Sequence, residues 1–191
     1  PEPDPEVIAA LLREAEADEE DVQEVLAGMR GEERAAPPEP KPEVRALVEE
    51  RLKSGESLAG VDLRGVDLSD LDLAGADLEE LDFSHARFDR SNLSRASLVG
   101  SKFVAASFVA ANLAGATASD ADFTEARLIE TNLVGARFER VEARGACAEG
   151  ADFTKANLEE AIFGDADFTR AKLDEALLGA TDFTGATLER A

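Results

Sequence analysis

Residues 121–135 read Ala121-Asp122-Phe123-Thr124-Glu125, Ala126-Arg127-Leu128-Ile129-Glu130 and Thr131-Asn132-Leu133-Val134-Gly135. In each group of five a small residue stands first and a large apolar one third. Extending that step both ways runs from Leu58 to Leu188, 27 positions without a slip, filled by 14 Leu, 10 Phe and 3 Ala. Every phenylalanine of the chain lies on this register. The small position, two residues earlier, is alanine at 17 of the 27. A repeat this regular specifies a repeat architecture.

An α-helix advances about 500° in five residues, which would spiral the large residues around its axis. In a straight strand an odd step sends successive residues to opposite faces. Neither buries the Leu/Phe set. A chain that bends once per five residues does, each repeat forming one side of a coil. The small and large positions, two apart, then point inward together. Nine of the 14 glycines fall two residues after the large position, among them Gly60, Gly75, Gly115 and Gly185. Glycine accepts the positive φ that a tight corner there requires.

The units Ala76-Asp77-Leu78, Ala111-Asn112-Leu113, Ala121-Asp122-Phe123, Ala151-Asp152-Phe153 and Ala156-Asn157-Leu158 resemble the A(D/N)LXX motif of pentapeptide-repeat proteins. The resemblance covers residues 56–191. It implies a β fold, a right-handed quadrilateral β-helix with four repeats to a coil and the Leu/Phe column stacked inside. Twenty-seven repeats make about 6.75 coils, a rod of roughly 32 Å at the spacing of stacked strands. Departures are Ala118, Ala143 and Ala148 at the large position and Leu71 and Leu81 at the small one. The core is expected to be thinnest at Ala143 and Ala148 unless Phe138 or Phe153 fills the gap.

The first 55 residues are organised differently. Two short helices are expected in 1–31, with Ile8, Leu11, Leu12 and Ala15 on one face of the first and Val22, Val25, Leu26 and Met29 on one face of the second. Residues 32–41, with Pro37, Pro38 and Pro40, read as an extended linker. A third helix is expected over 42–55, from Pro42 to a stop at Gly55, with Val44, Leu47, Val48 and Leu52 on one side. We expect it to cap the open first coil. At the other end Leu188 is still on register, and an open coil edge there invites self-association.

The chain carries 42 acidic and 20 basic residues, a net charge of −22. Free nucleic acid is therefore not an expected partner, because phosphate binding runs on Lys and Arg. No apolar run is long enough to span a membrane. One cysteine and one histidine exclude an intrachain disulfide and Cys- or His-rich metal sites. A cytoplasmic, bacterial location is expected. Within the rod the charge is uneven: 56–82 hold nine acids and one base, while 83–119 hold one acid, Asp89, and four bases.

No catalytic, cofactor-binding or metal-binding constellation is readable. His85 stands at a corner without a nucleophile to serve, and Cys147 stands outward on a side. Asp62, Asp67, Asp72, Asp77 and Asp82 occupy the position before the large residue, but consecutive ones fall on different sides of the coil, so they form no compact ligand set. Asn92, Asn112 and Asn132, twenty apart, should stack as an amide ladder. Val109, Ile129 and Val134 are apolar at an outward position, and with the five aspartates they are the candidate protein contacts. Val109 and Ile129, twenty apart, should be stacked neighbours.

The expected function is a non-enzymatic interaction or structural module with an unidentified protein partner. A rod with short turns offers flat faces and two ends, without a cleft. Gly55-Glu56-Ser57-Leu58-Ala59-Gly60, the Pro-rich linker and the start without methionine are similar to C-terminal pentapeptide regions of larger bacterial proteins associated with type VI secretion. The alternative carried by the family resemblance is a DNA mimic that binds DNA gyrase or a related topoisomerase. The acidity of the rod suits that alternative, and its neutral-to-basic middle interrupts it.

Overall fold

The structure, a computed structural model, describes residues 41–191. The two helices expected in 1–31 and all but the last residue of the linker lie outside the described residues.

From residue 67 onward the chain pairs with itself at a constant offset of twenty. Parallel bridges join Asp67 to Arg87, Asp72 to Asn92, Asp77 to Ser97, and so on without interruption to Asp167 and Thr187. Four repeats therefore make one coil. We number the sides one to four by their large residues in the first coil, Leu58, Leu63, Leu68 and Leu73. Each side holds three residues and each corner two, so a side contributes a single bridging residue and the ladder never extends into a conventional strand.

The backbone bonds repeat with the same regularity. The large residue donates upward, as Leu93 N–H does to the Asn112 carbonyl at 2.7 Å. The residue before it donates downward, as Asn92 N–H does to Leu71 O at 2.8 Å. All but two of the corners are closed by a bond of the form Ala96 N–H to Leu93 O, 3.0 Å. The second corner residue has positive φ in all 27 repeats, from 53° at Ala105 to 80° at Gly60. Eighteen of these residues are not glycine. The left-handed region costs such residues about 1–2 kcal/mol each, and the ladder bonds on both sides of the corner hold them there. At Gly75 a Cβ would meet nothing within 4 Å. Gly75→Ala is thus expected to cost about 1 kcal/mol from backbone conformation alone, read by chemical unfolding.

The large residues fill the interior. Leu63 through Phe168 are buried at every repeat, Ala118, Ala143 and Ala148 included. Sides two and three carry phenylalanine columns: Phe83 stacks on Phe103 at 5.5 Å and Phe88 on Phe108 at 4.9 Å, within 4° of parallel. The columns meet edge to face, Phe83 against Phe88 at 5.2 Å and Phe103 against Phe108 at 5.3 Å, the arrangement that aromatic quadrupoles favour.

The fifth coil inverts this order. Its large positions are Phe138, Ala143, Ala148 and Phe153, with alanine on the two sides where the second and third coils have phenylalanine. The Phe138 ring lies 5.0 Å from Phe123, directly below Ala143's side. The Phe153 ring lies 5.4 Å from Phe168, directly above Ala148's side. Each ring reaches sideways into the space its alanine neighbour leaves. The thin core expected at residues 141–150 is filled.

Two corners do open. A Leu71 N–H to Leu68 O bond and a Leu81 N–H to Leu78 O bond would close their turns, and neither is made among the described residues. Both turns lead to a leucine at the small position. At Leu81 the Ser101 hydroxyl from the coil above bridges the gap, donating to Leu78 O at 2.6 Å and accepting from Leu81 N–H at 3.1 Å.

Helix α1 is Pro42–Ser54, opened by the proline and closed by Gly55 at φ 73°. Its Val48 is fully buried in the core of the rod, with Val44 and Leu52 packed beside it. Arg45 Nη1 donates to the Asp67 carbonyl at 3.1 Å, the bond that a lower coil would otherwise make. Lys41 pairs with Asp62 at 2.9 Å.

Candidate functional site

The five candidate aspartates do local work. The Oδ1 of each accepts the backbone N–H two residues on: Arg64 for Asp62, Ser69 for Asp67, Ala74 for Asp72, Glu79 for Asp77 and Ser84 for Asp82, at 3.0–3.4 Å. They brace their own corners and wind round all four sides. Among the described residues no group of His, Cys, Asp and Glu could hold a metal ion. His85 is exposed at a corner, with φ 62°. Cys147 is half-buried, bridged between Arg127 and Asp167.

These carboxylates make the fold sensitive to acid. Hydrogen bonds from Arg64 and Lys41 hold the Asp62 carboxyl far below the usual range. Burial works against ionisation at Asp82, but the Ser84 hydroxyl and N–H outweigh it and the carboxyl is again held low. The Arg90 and Arg140 guanidinium groups do the same for Asp70 and Asp120 through paired hydrogen bonds. A carboxyl lowered by folding contributes stability above its unfolded value and loses it as pH falls through the folded one. The fold should therefore hold down to about pH 4 and lose stability below it, as read by circular dichroism at graded pH.

Side four is built otherwise. Asn92, Asn112 and Asn132 form the expected ladder: Asn132 Nδ2 donates to Asn112 Oδ1 at 3.1 Å, and Asn112 Nδ2 to Asn92 Oδ1 at 3.2 Å. The chain of amides runs one way and ends on a charge, Asn92 Nδ2 to Asp72 Oδ1 at 2.8 Å. Each asparagine Oδ1 also accepts the N–H of the residue two further on, Ser94, Ala114 or Val134.

The structure brings the three candidate aliphatics to the borders of this side. Val109 and Ile129 stack at the corner that enters side four, joined by Ala110 N–H to Ile129 O at 2.9 Å. Val134, 36% exposed, stands at the corner that leaves it. Val109 and Ile129 are stacked as the twenty-residue spacing predicts, and with Val134 they form two edges of one face with the amides between. Asp89, the one acid of residues 83–119, is buried. It accepts from the Ser107 hydroxyl at 2.5 Å, from Val109 N–H at 3.1 Å and from Arg87 at 3.1 Å. The ladder was legible from the twenty-residue spacing; the use of Asp89 was not.

The expectation of a rod without a cleft fails among the described residues. A cleft of about 580 Å³ opens where α1 meets the second coil, lined in part by Leu52, Leu58 and Leu81. Among the described residues no helix is long and apolar enough to cross a membrane.

A family model described as pentapeptide repeats matches in eight copies, over residues 57–95, 91–128, 121–159 and 161–191. No curated protein matches the chain. Among solved structures, the pentapeptide repeat protein Rfr23 from the cyanobacterium Cyanothece 51142 is 21% identical, with 63% of this chain and 90% of that one covered and a TM-score of 0.43. A pentapeptide repeat protein of the Arabidopsis thaliana thylakoid lumen is 33% identical, with 51% and 72% covered and a TM-score of 0.42. QnrB1, a plasmid-mediated fluoroquinolone resistance protein, is 20% identical, with 64% and 72% covered and a TM-score of 0.34.

Proposed function

This chain belongs to the pentapeptide-repeat family, and we propose that it is a non-enzymatic protein-interaction module whose contact face is side four of the third and fourth coils. The observation that carries this reading is the self-satisfied amide ladder between two aliphatic edges. A polar face usually resists dehydration because its groups lose water without compensation. Here the amides bond to each other and to the backbone, so covering them strands few donors or acceptors. Val109, Ile129 and Val134 supply apolar area at the rim, and the nearest buried acid, Asp89, already has its partners. A flat protein surface of similar chemistry is the fitting partner.

The test is photocrosslinking from an unnatural residue at position 114, inside the face. A discrete adduct is expected in bacterial cells that express the chain. Ile129→Lys with Val134→Lys should abolish it by placing two charges on the rim, while Glu189→Lys should leave it intact. An adduct indifferent to the rim charges would refute this face.

The second reading is the DNA mimic that binds gyrase, and the net charge favours it. Its acids are less available than their number suggests: Asp70 and Asp120 are neutralised by bidentate arginines and many others brace corners. Inhibition of gyrase supercoiling at stoichiometric protein would establish it over the first reading. A cytoplasmic bacterial setting, and a place in a larger protein associated with type VI secretion, are narrower forms of the interaction module. Self-association through the last coil is another: Leu178 and Leu188 are exposed there, and sedimentation at rising concentration reads it.

A further inference from the structure

Between the first and second coils the ladder is missing along side one and the start of side two, where every later pair of coils makes it. Leu58 N–H, Gly60 N–H and Leu63 N–H would donate to the carbonyls of Asp77, Glu79 and Asp82, and none of these bonds is made; pairing begins only at Gly65 N–H to Ser84 O, 2.9 Å. Asp77 N–H and Asp82 N–H are likewise unbonded among the described residues. The cause lies in the small positions of side two. Val61 and Leu81 follow one another, whereas the later coils have Ser101, Ala121, Val141, Ala161 and Thr181, and the ladder closes round the single Val141 between its two alanines. Two bulky residues in successive layers prop the layers apart, and Leu81 has opened its own corner as well. The result is the cleft of about 580 Å³ between α1 and the edge of the second coil.

We propose that this cleft takes an extended, lysine- or arginine-bearing segment of another protein as an added β-strand on the edge of residues 76–80. The repeat itself defines the docking. In every closed layer the lower strand runs parallel, gives two N–H groups two residues apart, and receives one N–H from above. An incoming strand can give its N–H groups to the Asp77 and Glu79 carbonyls and receive the Asp77 N–H, the main-chain mode by which sheet edges bind peptides. Leu52, Leu58 and Leu81 line the cleft for an apolar side chain. The charges choose the partner: Glu56, Asp77, Glu79 and Glu80 line it, and among the described residues no Lys or Arg does. Complementary charge on the segment fixes register and speeds encounter. This site is separate from side four, and neither experiment bears on the other.

The first test is hydrogen exchange on the full chain. The amides of Asp77 and Asp82 should exchange at least a hundredfold faster than those of Asn112 and Asn132; equal protection would overturn the proposal, because the edge would already be paired. The second uses the acetylated, amidated peptide Lys-Val-Lys-Val-Lys and its acidic counterpart Glu-Val-Glu-Val-Glu, followed by amide chemical shifts. The basic peptide should shift residues 52–60 and 75–82, and the acidic one should not. N-methylation of the pairing backbone nitrogens should weaken binding at least tenfold. Unchanged binding after methylation would mean adsorption to the acids only and would overturn strand addition. Leu81→Ala should let the first coil close on the second, protect the Asp77 amide and abolish binding, while exposed Glu80→Lys should weaken the basic peptide severalfold and leave the fold as it is. Binding that survives Leu81→Ala with a protected Asp77 amide would also overturn it.

Discussion

Phe138→Ala is expected to destabilise the protein by about 4 kcal/mol, at the upper part of the range for core phenylalanines. Most core deletions are softened by neighbours that relax into the space. Phe138 has little such support, because Ala143 follows it on the next side, Ala118 lies one coil below, and its ring contact is with Phe123 alone among the phenylalanines. The reverse error should also cost. Ala143→Phe would drive a second ring into the space above Phe123 that Phe138 already occupies, for about 1–3 kcal/mol of overpacking. Together the changes should cancel. The fourfold variant Phe138→Leu, Ala143→Phe, Ala148→Phe, Phe153→Leu restores the order of sizes found in the second coil, and should lie within about 1.5 kcal/mol of the parent. Chemical unfolding of the three variants decides it. A neutral Ala143→Phe would show that the space above Phe123 is empty.

This coil shows where the sequence was legible and where it was not. Period five located the large residues and the corners, because each follows from the backbone's own repetition, and the family resemblance supplied the four repeats to a coil that make the register twenty. The consequence of Ala143 and Ala148 did not follow from position alone: it depends on which way the Phe138 and Phe153 rings turn, a choice made by the free volume around them. The same holds for Leu71 and Leu81. Their bulk at a small position was visible, but not that it breaks the corner bond, nor that Ser101, twenty residues past Leu81, repairs one of the two. The candidate face shows it again: Val109, Ile129 and Val134 were found as outward aliphatics, whereas their place at opposite edges of one amide-lined side is a property of the coil. The cleft was missed because it arises from bonds that fail to form, and a repeat pattern announces only the bonds it makes.

Val48→Asp should remove the helix from the end of the rod. Val48 is fully buried against the core, and burying its side chain contributes about 2 kcal/mol. An aspartate there has no cationic partner inside the rod, and an unpaired charge adds several kcal/mol more, so α1 detaches before the charge is buried. Arg45 then leaves the Asp67 carbonyl, and Lys41 leaves Asp62. The damage should stay local, because each coil touches only its neighbours and stability in such arrays is close to a sum of nearest-neighbour terms. The first coil is also the one with fewest ladder bonds to its neighbour. Hydrogen exchange is therefore expected to show protection lost over residues 42–75 and kept over residues 118–168, with the thermal midpoint of the main transition little changed. Detachment also bares Leu58, Leu63 and an unpaired sheet edge, and an open edge of that kind associates. Light scattering should accordingly report concentration-dependent assembly of Val48→Asp beyond that of the parent chain. Simultaneous loss of protection from one end to the other would instead mean that the rod unfolds as a single unit, with α1 essential to all of it.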